Sequence, residues 1–335
     1  MQRYLIIFAM TAGLTLLAAC GLSWWFEPIE GDLTRIGKYS ERDFGWNADQ
    51  VPIAVRANGK VVKSPDVAVL GDSFSAGNIW QSALAQQTGL NTQSFNYSQN
   101  ECIGAWADIA ARNPATGTVV IETVERAFVS RFKDVTSCSG TSITPWESVA
   151  GSTARQRLTW PMQMHVQHTA LVALQTFKMR RVGATGILQD KVVNVPMDPL
   201  CGKFSHRAQG RFLYFGEDEE KWEWTAAEVA NAVANVARLQ AIVQGHGKRF
   251  VFVVVPDKSS VYRSCLTLPE NIRGTPPVNI TAELIAGGVR IPDVLGQLQQ
   301  VSSKVVDLYN PDNTHFGTTG YLALARMVQP YVAVK

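Results

Sequence analysis

The sequence is poor in charge and shows no repeats, and each shortage removes a class of function. Only 18% of its 335 residues are charged, the formal net charge is +3, and no basic cluster stands out. Nucleic-acid-binding domains carry a basic patch or stripe, so we expect no nucleic-acid partner. Internal repeats and low-complexity tracts are absent, which argues against solenoid and disordered architectures. A hydrophobic content of 46% is ample for the core of one large or two small domains.

Cysteine is also scarce, and its spacing argues against a metal site. No C-x-x-C pair occurs, so we expect neither a metal nor another cofactor. Four cysteines beyond Cys20 permit two disulfides with three connectivities in an exported chain: Cys102, Cys138, Cys201 and Cys265. We favour bridges in the middle of the chain, and a free, buried Cys102 is the alternative.

The N-terminus predicts attachment to a membrane. The run from Tyr4 to Phe26 has no charge, is long enough to cross a bilayer as a helix, and ends in the aromatic group Trp24-Trp25-Phe26. Within it, Leu17-Ala18-Ala19-Cys20 resembles the site at which bacterial lipoprotein signals are cut and lipidated. We weigh an uncleaved anchor and a lipoprotein signal equally for residues 1–26. Either one tethers the protein to the bacterial cell envelope, facing the periplasm or the exterior.

The remainder divides into a polar lead-in, residues 27–63, and one domain, residues 64–335. Within the lead-in, Gly31 to Gly37 could pack against the domain. Predicted strands and helices alternate in the domain, which favours an α/β fold with a doubly wound parallel sheet of about five strands, a flavodoxin-like three-layer sandwich. The predicted strands begin near Val67 and continue with Gln93–Tyr97, Thr118–Glu122, Arg249–Val255 and Val305–Leu308. The predicted helices are Ile79–Gln87, Ala105–Arg112, Thr225–Gln244, Val294–Val301 and Thr319–Val332. Residues 130–224 read as an insertion after the third strand that either shapes a pocket or forms a disulfide-held flap.

Candidate catalytic residues lie near the two ends of the domain. The apolar run before Gly71 and the helical pattern after it place Ser73 on a strand-turn-helix at the C-terminal edge of the sheet. A serine nucleophile needs a base, and Asp312 and His315 follow the last predicted strand. His315 would take the proton from Ser73 while Asp312 orients the imidazole. An ordinary turn, with Asp72 or Ser73 capping the helix, is the alternative. Of the other histidines, only His206 is considered as a substrate contact.

These blocks resemble a known superfamily. Gly71-Asp72-Ser73-Phe74-Ser75 and Asp312-Asn313-Thr314-His315 are similar to the first and last blocks of the SGNH (GDSL-like) hydrolases and acyltransferases. The resemblance implies Ser73 as nucleophile, Asp312 and His315 as the acid/base pair, and an oxyanion hole from the N–H groups of Ser73 and Gly104. Asp72 and Asn100 are further candidates for support of the site. The family's Gly-x-Asn-Asp block is missing.

The residues at the end of the third predicted strand indicate a particular branch of this superfamily. Glu122-x-x-Glu125-Arg126, with Val255 to Tyr262 after the fourth strand, is similar to the branch of periplasmic alginate O-acetyltransferases and related exopolysaccharide acetylation proteins. The order of the serine and Asp/His blocks differs from that of the alginate enzymes. Glu122 and Arg126 either support the active site or brace the loop as an ion-pair cluster.

The resemblance implies an O-acetyltransferase that passes an acetyl group through Ser73 to a polysaccharide. Its acetyl donor would be supplied through a membrane-bound acyltransferase. An esterase for carbohydrates or lipids, with the same residues and water as acceptor, is the second reading. A non-catalytic glycan-binding assembly subunit on the same scaffold is the third, because the asparagine block is missing.

Overall fold

The computed structural model describes residues 2–25, 30–55, 64–97, 102–136, 188–189, 191–268 and 278–333. The strands, in chain order, are β1 Val67–Gly71, β2 Thr92–Asn96, β3 Thr118–Val124, β4 Leu188–Gln189, β5 Val192–Pro196, β6 Arg211–Phe215 and β7 Arg249–Val255. The helices are α1 Gln2–Trp25, α2 Asp32–Gly37, α3 Glu41–Phe44, α4 Ser73–Ala76, α5 Ile79–Thr88, α6 Ile103–Arg112, α7 Phe128–Phe132, α8 Ala226–Gly245, α9 Lys258–Val261, α10 Ile280–Ala286, α11 Val294–Ser302 and α12 Thr318–Val332. Short 3-10 turns lie at Glu125–Ala127, Gly216–Glu223 and Arg263–Cys265.

A parallel sheet organises the domain, in the strand order β2-β1-β3-β7. All residues of β1 and β3 are buried, as expected of parallel strands covered by helices on both faces. On one face β1 and β7 pack with α5, α11 and α12, and on the other the same strands pack with α6, α7, α8 and α10. The α/β prediction is confirmed, with four parallel strands in the sheet among the described residues.

Two helix boundaries lie where glycine and the capping-box residues predict them. Gly89 adopts a left-handed φ of 74° directly after α5, a conformation that a residue with a Cβ rarely accepts. Thr225 and Glu228 form the capping box at the start of α8, each side chain bonding the backbone N–H of the other.

The predicted strand at Val305–Leu308 is wrong. A single bridge joins Lys203 to Val306, and Asp307 turns left-handed with a φ of 51°. The Asp307 carboxylate accepts the backbone N–H and the hydroxyl of Ser205, so contacts with a distant loop hold this segment as a turn.

The described parts of the insertion are residues 130–136, 188–189 and 191–224, and within them β4, β5 and β6 form an antiparallel sheet. Cys138 lies outside the described residues. Cys201 and Cys265 form a disulfide at a sequence separation of 64, which confirms a bridge in the middle of the chain. Cys102 is half-buried and unbridged.

The lead-in packs against this antiparallel sheet. Leu33, Tyr39 and Phe44 form a buried cluster with Val192 of β5 and Leu213 of β6. The cluster brings α2 and α3 to the C-terminal end of the domain, where the loop after residue 309 lies.

Among the described residues, no helix has the length and hydropathy required to span a bilayer. The membrane anchor and the lipoprotein signal stay predictions.

Candidate active site

Ser73 lies exposed in a turn that Asp72 holds in place. The Asp72 carboxylate accepts the N–H of Phe74 at 3.1 Å, and its second oxygen accepts the N–H of Val124 at 2.8 Å. The same oxygen pairs with Arg131 Nη1 at 2.8 Å. Asp72 therefore caps α4 and ties the turn after β1 to the end of β3. The predicted placement of Ser73 on a strand-turn-helix is what the structure has.

Glu122 supports the same turn from the interior. It is fully buried in β3, and its Oε2 accepts the hydroxyl of Ser75 at 2.6 Å and the N–H of Asp72 at 3.2 Å. Its Oε1 has no partner among the described residues. Burial, together with the charge of Asp72, raises the pKa of Glu122 well above its ordinary value. A fully buried group of this kind braces the Ser73 turn without access to substrate.

His315 lies next to the Ser73 turn. Its ring is 4.8 Å from that of Phe74, measured between centroids, and its Nδ1 is 2.7 Å from Asn313 Oδ1. Because an amide oxygen only accepts, this bond selects the tautomer with hydrogen on Nδ1 and leaves a lone pair on Nε2. Among the described residues no hydrogen bond joins Ser73 to His315 or engages Nε2. Catalytic hydrogen bonds are often completed only when substrate binds.

The carboxylate nearest the imidazole is that of Asp32, from the lead-in. Asp32 Oδ2 lies 3.6 Å from His315 Nδ1. The same oxygen accepts the hydroxyl of Thr314 at 2.6 Å, and Oδ1 accepts the Thr314 N–H at 2.9 Å. Burial raises the pKa of Asp32, but His315 and Thr314 outweigh it and the net shift is downward, so Asp32 is ionised.

Asp312, the predicted partner of His315, is turned into the protein. Its carboxyl is buried and hydrogen-bonded to that of Glu41. Burial, followed by Glu41, raises the pKa of Asp312 well above its ordinary range, because two adjacent carboxyls hold a proton between them. Its backbone oxygen accepts the N–H of Leu33 at 2.9 Å. The structure thus places Asp32, and not Asp312, beside the imidazole.

Lys258 fixes the loop that carries these residues. Its buried Nζ donates to the carbonyl oxygens of Asn310 at 2.9 Å and of Pro311 at 2.8 Å. Burial lowers the pKa of Lys258 to about 7. Two carbonyls that would otherwise be buried without donors are thereby satisfied.

The two predicted oxyanion donors, the N–H groups of Ser73 and Gly104, differ in whether they are already hydrogen-bonded. Gly104 donates its N–H to the carbonyl of Val135 at 3.1 Å, and a Cβ at Gly104 would lie 2.4 Å from that oxygen. The glycine therefore permits a close backbone approach, and its N–H is already engaged. Asn100 lies outside the described residues. The N–H of Ser73 meets no acceptor among the described residues, which leaves it free for an oxyanion.

Arg126 belongs to a buried ion-pair cluster. Its Nη1 lies 2.7 Å from Asp257 and 3.3 Å from Asp218, while Lys221 pairs with Glu125 at 3.0 Å and with the same Asp257 at 2.9 Å. These groups link the ends of β3 and β7 to the 3-10 turn before α8. The arrangement is an ion-pair cluster of the kind that would brace the loop, which is one of the two roles predicted for Arg126.

The two other described histidines, His206 and His246, offer no second site. His206 is buried between the rings of Phe44 and Phe204, and burial lowers its pKa to about 4, so it makes no contact with solvent-borne substrate. His246 pairs with Asp108 at the surface. His165 and His168 lie outside the described residues. No cluster of potential metal ligands occurs in the part of the chain that the structure describes.

Sequence reasoning missed Asp32 because no local pattern marks it. The lead-in was expected to pack against the domain, yet its contact with Thr314 spans 282 positions in sequence. Asn313 stood within the recognised block without a role, and only the fold reveals that its amide oxygen meets His315.

Residues 208–333 match the family model described as SGNH hydrolase-like domain, acetyltransferase AlgX. The match contains Asp312 and His315 and ends within the final residues of the chain, while Ser73 lies before it. No curated protein matches the chain. Over residues 208–333 the resemblance predicted from the sequence blocks is confirmed, and the chain is similar there to the SGNH hydrolase-like domain of the acetyltransferase AlgX, which supports an acyltransferase or esterase activity.

Proposed function

We propose that the protein is an extracytoplasmic O-acetyltransferase that acetylates a polysaccharide through an acyl-Ser73 intermediate. The observation that carries the proposal is the exposed Ser73 on a braced turn whose next residue, Phe74, packs on His315. The likeness to the AlgX domain supports transfer of acetyl groups as the reaction type.

In the first half-reaction, Ser73 becomes acetylated. Ser73 Oγ attacks the carbonyl carbon of the acetyl donor as its proton passes to His315 Nε2. The N–H of Ser73 receives charge that develops on the carbonyl oxygen. The bond to the donor's leaving group then breaks, and His315 returns the proton to that group.

In the second half-reaction, the acetyl group passes from Ser73 to the acceptor. A sugar hydroxyl attacks the acyl carbon while its proton passes to His315 Nε2, and the bond between the acyl group and Ser73 breaks as Oγ regains the proton. Water in place of the sugar would give an esterase. The two activities share every residue and differ only in the acceptor.

The proposed setting is the outer side of a bacterial membrane. Residues 1–26 would tether the protein there, as an anchor or a lipidated signal, and a membrane-bound acyltransferase would supply the acetyl group. The Cys201–Cys265 disulfide supports an oxidising compartment.

The test uses the full chain in mild detergent with an activated acetyl ester, in the presence and absence of acetyl-free oligosaccharides. We expect a Ser73-containing peptide to carry the acetyl group by mass spectrometry and the sugar to become acetylated. Ser73→Ala should lower both activities by at least about 10³-fold, since the nucleophile is removed. Ser64→Ala, an exposed serine outside the site, is the matched control.

Three results would change the proposal. Release of acetate that no sugar alters would favour the esterase. Equal rates for Ser73→Ala and the unaltered protein would remove Ser73 as nucleophile. Full function of Ser73→Ala in the cell would favour the non-catalytic assembly subunit.

A further inference from the structure

The lead-in supplies a carboxylate that faces His315. Asp32 begins α2 and approaches the imidazole from outside the loop that carries His315, with Oδ2 at 3.6 Å from Nδ1. The side chains of Asp32 and His315 are 21% and 27% exposed, so the pair is neither fully solvated nor sealed off. The interaction is stronger than that of two freely exposed charges.

Asp32 is held in this place by contacts that a surface ion pair lacks. The N–H groups of Leu33 and Thr34 both donate to the carbonyl of Asp312, at 2.9 and 3.4 Å, and Leu33 is completely buried. Both Asp32 oxygens are bonded to Thr314, the residue before His315. Because backbone and core fix the carboxylate, it loses little side-chain entropy on pairing.

Among the described residues, the other neighbours of the His315 loop are neutral or directed elsewhere. Asn313 accepts the Nδ1 hydrogen but is neutral, and Phe74 covers the ring. Asp312 shares its buried hydrogen bond with Glu41. The cation of Lys258 is directed to the loop carbonyls. An imidazolium formed at His315 during catalysis therefore has Asp32 as its adjacent carboxylate.

We infer that Asp32 is the positioning residue that stabilises the protonated form of His315 and orients its ring, the part that the sequence motif would give to Asp312. The inference rests on the proposed function for the role of His315 as base, whereas the placement of Asp32 beside the imidazole does not depend on that function. Asn313 fixes the tautomer through a direct hydrogen bond, and Asp32 adds the charge.

The experiment compares Asp32→Asn with Asp312→Asn in the full chain. NMR of labelled imidazoles gives the pH midpoint of the His315 titration, and hydrolysis of an activated acetyl ester gives kcat/KM against pH. In Asp32→Asn we expect the midpoint and the acidic limb of the profile to move to lower pH, because the imidazolium loses an adjacent opposite charge. We expect kcat to fall about 10- to 100-fold with little change in KM. Asp312→Asn should leave the His315 midpoint in place.

Two further variants separate charge from loop bracing. Thr314→Val removes the hydroxyl bond to Asp32 but keeps the backbone N–H bond and the charge of Asp32, so the His315 midpoint should stay near that of the unaltered protein. Asp32→Asn combined with Asn313→Asp restores a carboxylate at the direct acceptor, and it should recover most of the kcat lost by Asp32→Asn.

The inference is overturned if Asp32→Asn leaves the His315 midpoint unchanged, or if Asp312→Asn moves it instead. It is also overturned if Thr314→Val reproduces the Asp32→Asn shift, since bracing alone would then explain the effect. Absence of any Ser73-dependent activity would refute the proposed function and leave the NMR comparison to decide the placement of Asp32.

Discussion

Glu122 shows how one buried side chain couples the candidate site to pH. It accepts hydrogen bonds from the turn that presents Ser73, yet it is completely buried and has no cationic hydrogen-bond partner among the described residues. Burial raises the pKa of this carboxyl well above its ordinary value and so favours its protonated form. Raising the pH must eventually place a charge beneath Ser73.

Glu122→Gln should therefore be stabilised relative to the unaltered protein as pH rises. The folded-state pKa of Glu122 lies above the ordinary value of 4.5, so the unfolded chain releases the proton first and native stability falls from about that pH upward. The difference between the two proteins should grow by up to about 1.4 kcal/mol per pH unit until the raised pKa is reached. Urea unfolding at several pH values measures it. Glu283→Gln, an exposed carboxyl, is the control, and a pH-independent difference at Glu122 would contradict the prediction.

At the scale of elements, the docking of α2 on the His315 loop depends on a glycine. A Cβ on Gly31 would lie 2.2 Å from the backbone oxygen of Asp312 and 2.6 Å from its Cβ. Two backbone N–H groups of α2 donate to that same oxygen, so any movement of the helix away from the loop would break these hydrogen bonds. The lead-in is therefore an integral part of the candidate site.

Gly31→Ala should push α2 away from the loop and lower both stability and activity. We expect a loss of about 1–3 kcal/mol in the free energy of unfolding, the usual cost of overpacking, and a fall in kcat with the pH profile displaced as in Asp32→Asn. Urea unfolding and ester hydrolysis provide the measurements. Gly117→Ala is matched to it, since a Cβ there would meet no atom closer than 3.7 Å. Equal behaviour of the two variants would show that α2 tolerates the displacement.

The elements themselves were largely predictable, whereas their contacts were not. Buried β-branched runs and capping signals are local, and they gave β1, β3, β7 and the start of α8 within a few residues. The turn at Asp307 depends on Ser205, and the place of Asp32 depends on Thr314, partners far away in sequence. No local pattern carries such information, so the Ser73 and His315 blocks were found while the carboxylate beside them was not.

In the whole molecule, the disulfide reinforces a junction that backbone hydrogen bonds from Asp198 to Cys265 and from Thr267 to Pro196 also hold. Cys201 lies between β5 and β6, and Cys265 follows α9 beyond the end of β7, so the bridge ties the antiparallel sheet to the parallel one. The antiparallel sheet in turn holds Leu33 of α2, next to Asp32. A covalent link in one region therefore bears on the position of a side chain in the candidate site.

Replacing both cysteines by serine should lower the free energy of unfolding while ester hydrolysis persists in the folded variant. Closing a loop of about 64 residues is worth about 4 kcal/mol in the chain-entropy treatment, and measured losses are commonly about 2–5 kcal/mol. Urea unfolding of the Cys201→Ser/Cys265→Ser variant should show such a loss, and a reductant should destabilise the unaltered protein without affecting the variant. At temperatures where the variant stays folded, ester hydrolysis should persist, because neither sulfur is near Ser73 in the described contacts. Loss of activity without loss of stability would mean that the bridge acts directly on the site, and the coupling through β5, β6 and Leu33 would then need to be tested before the role of Asp32.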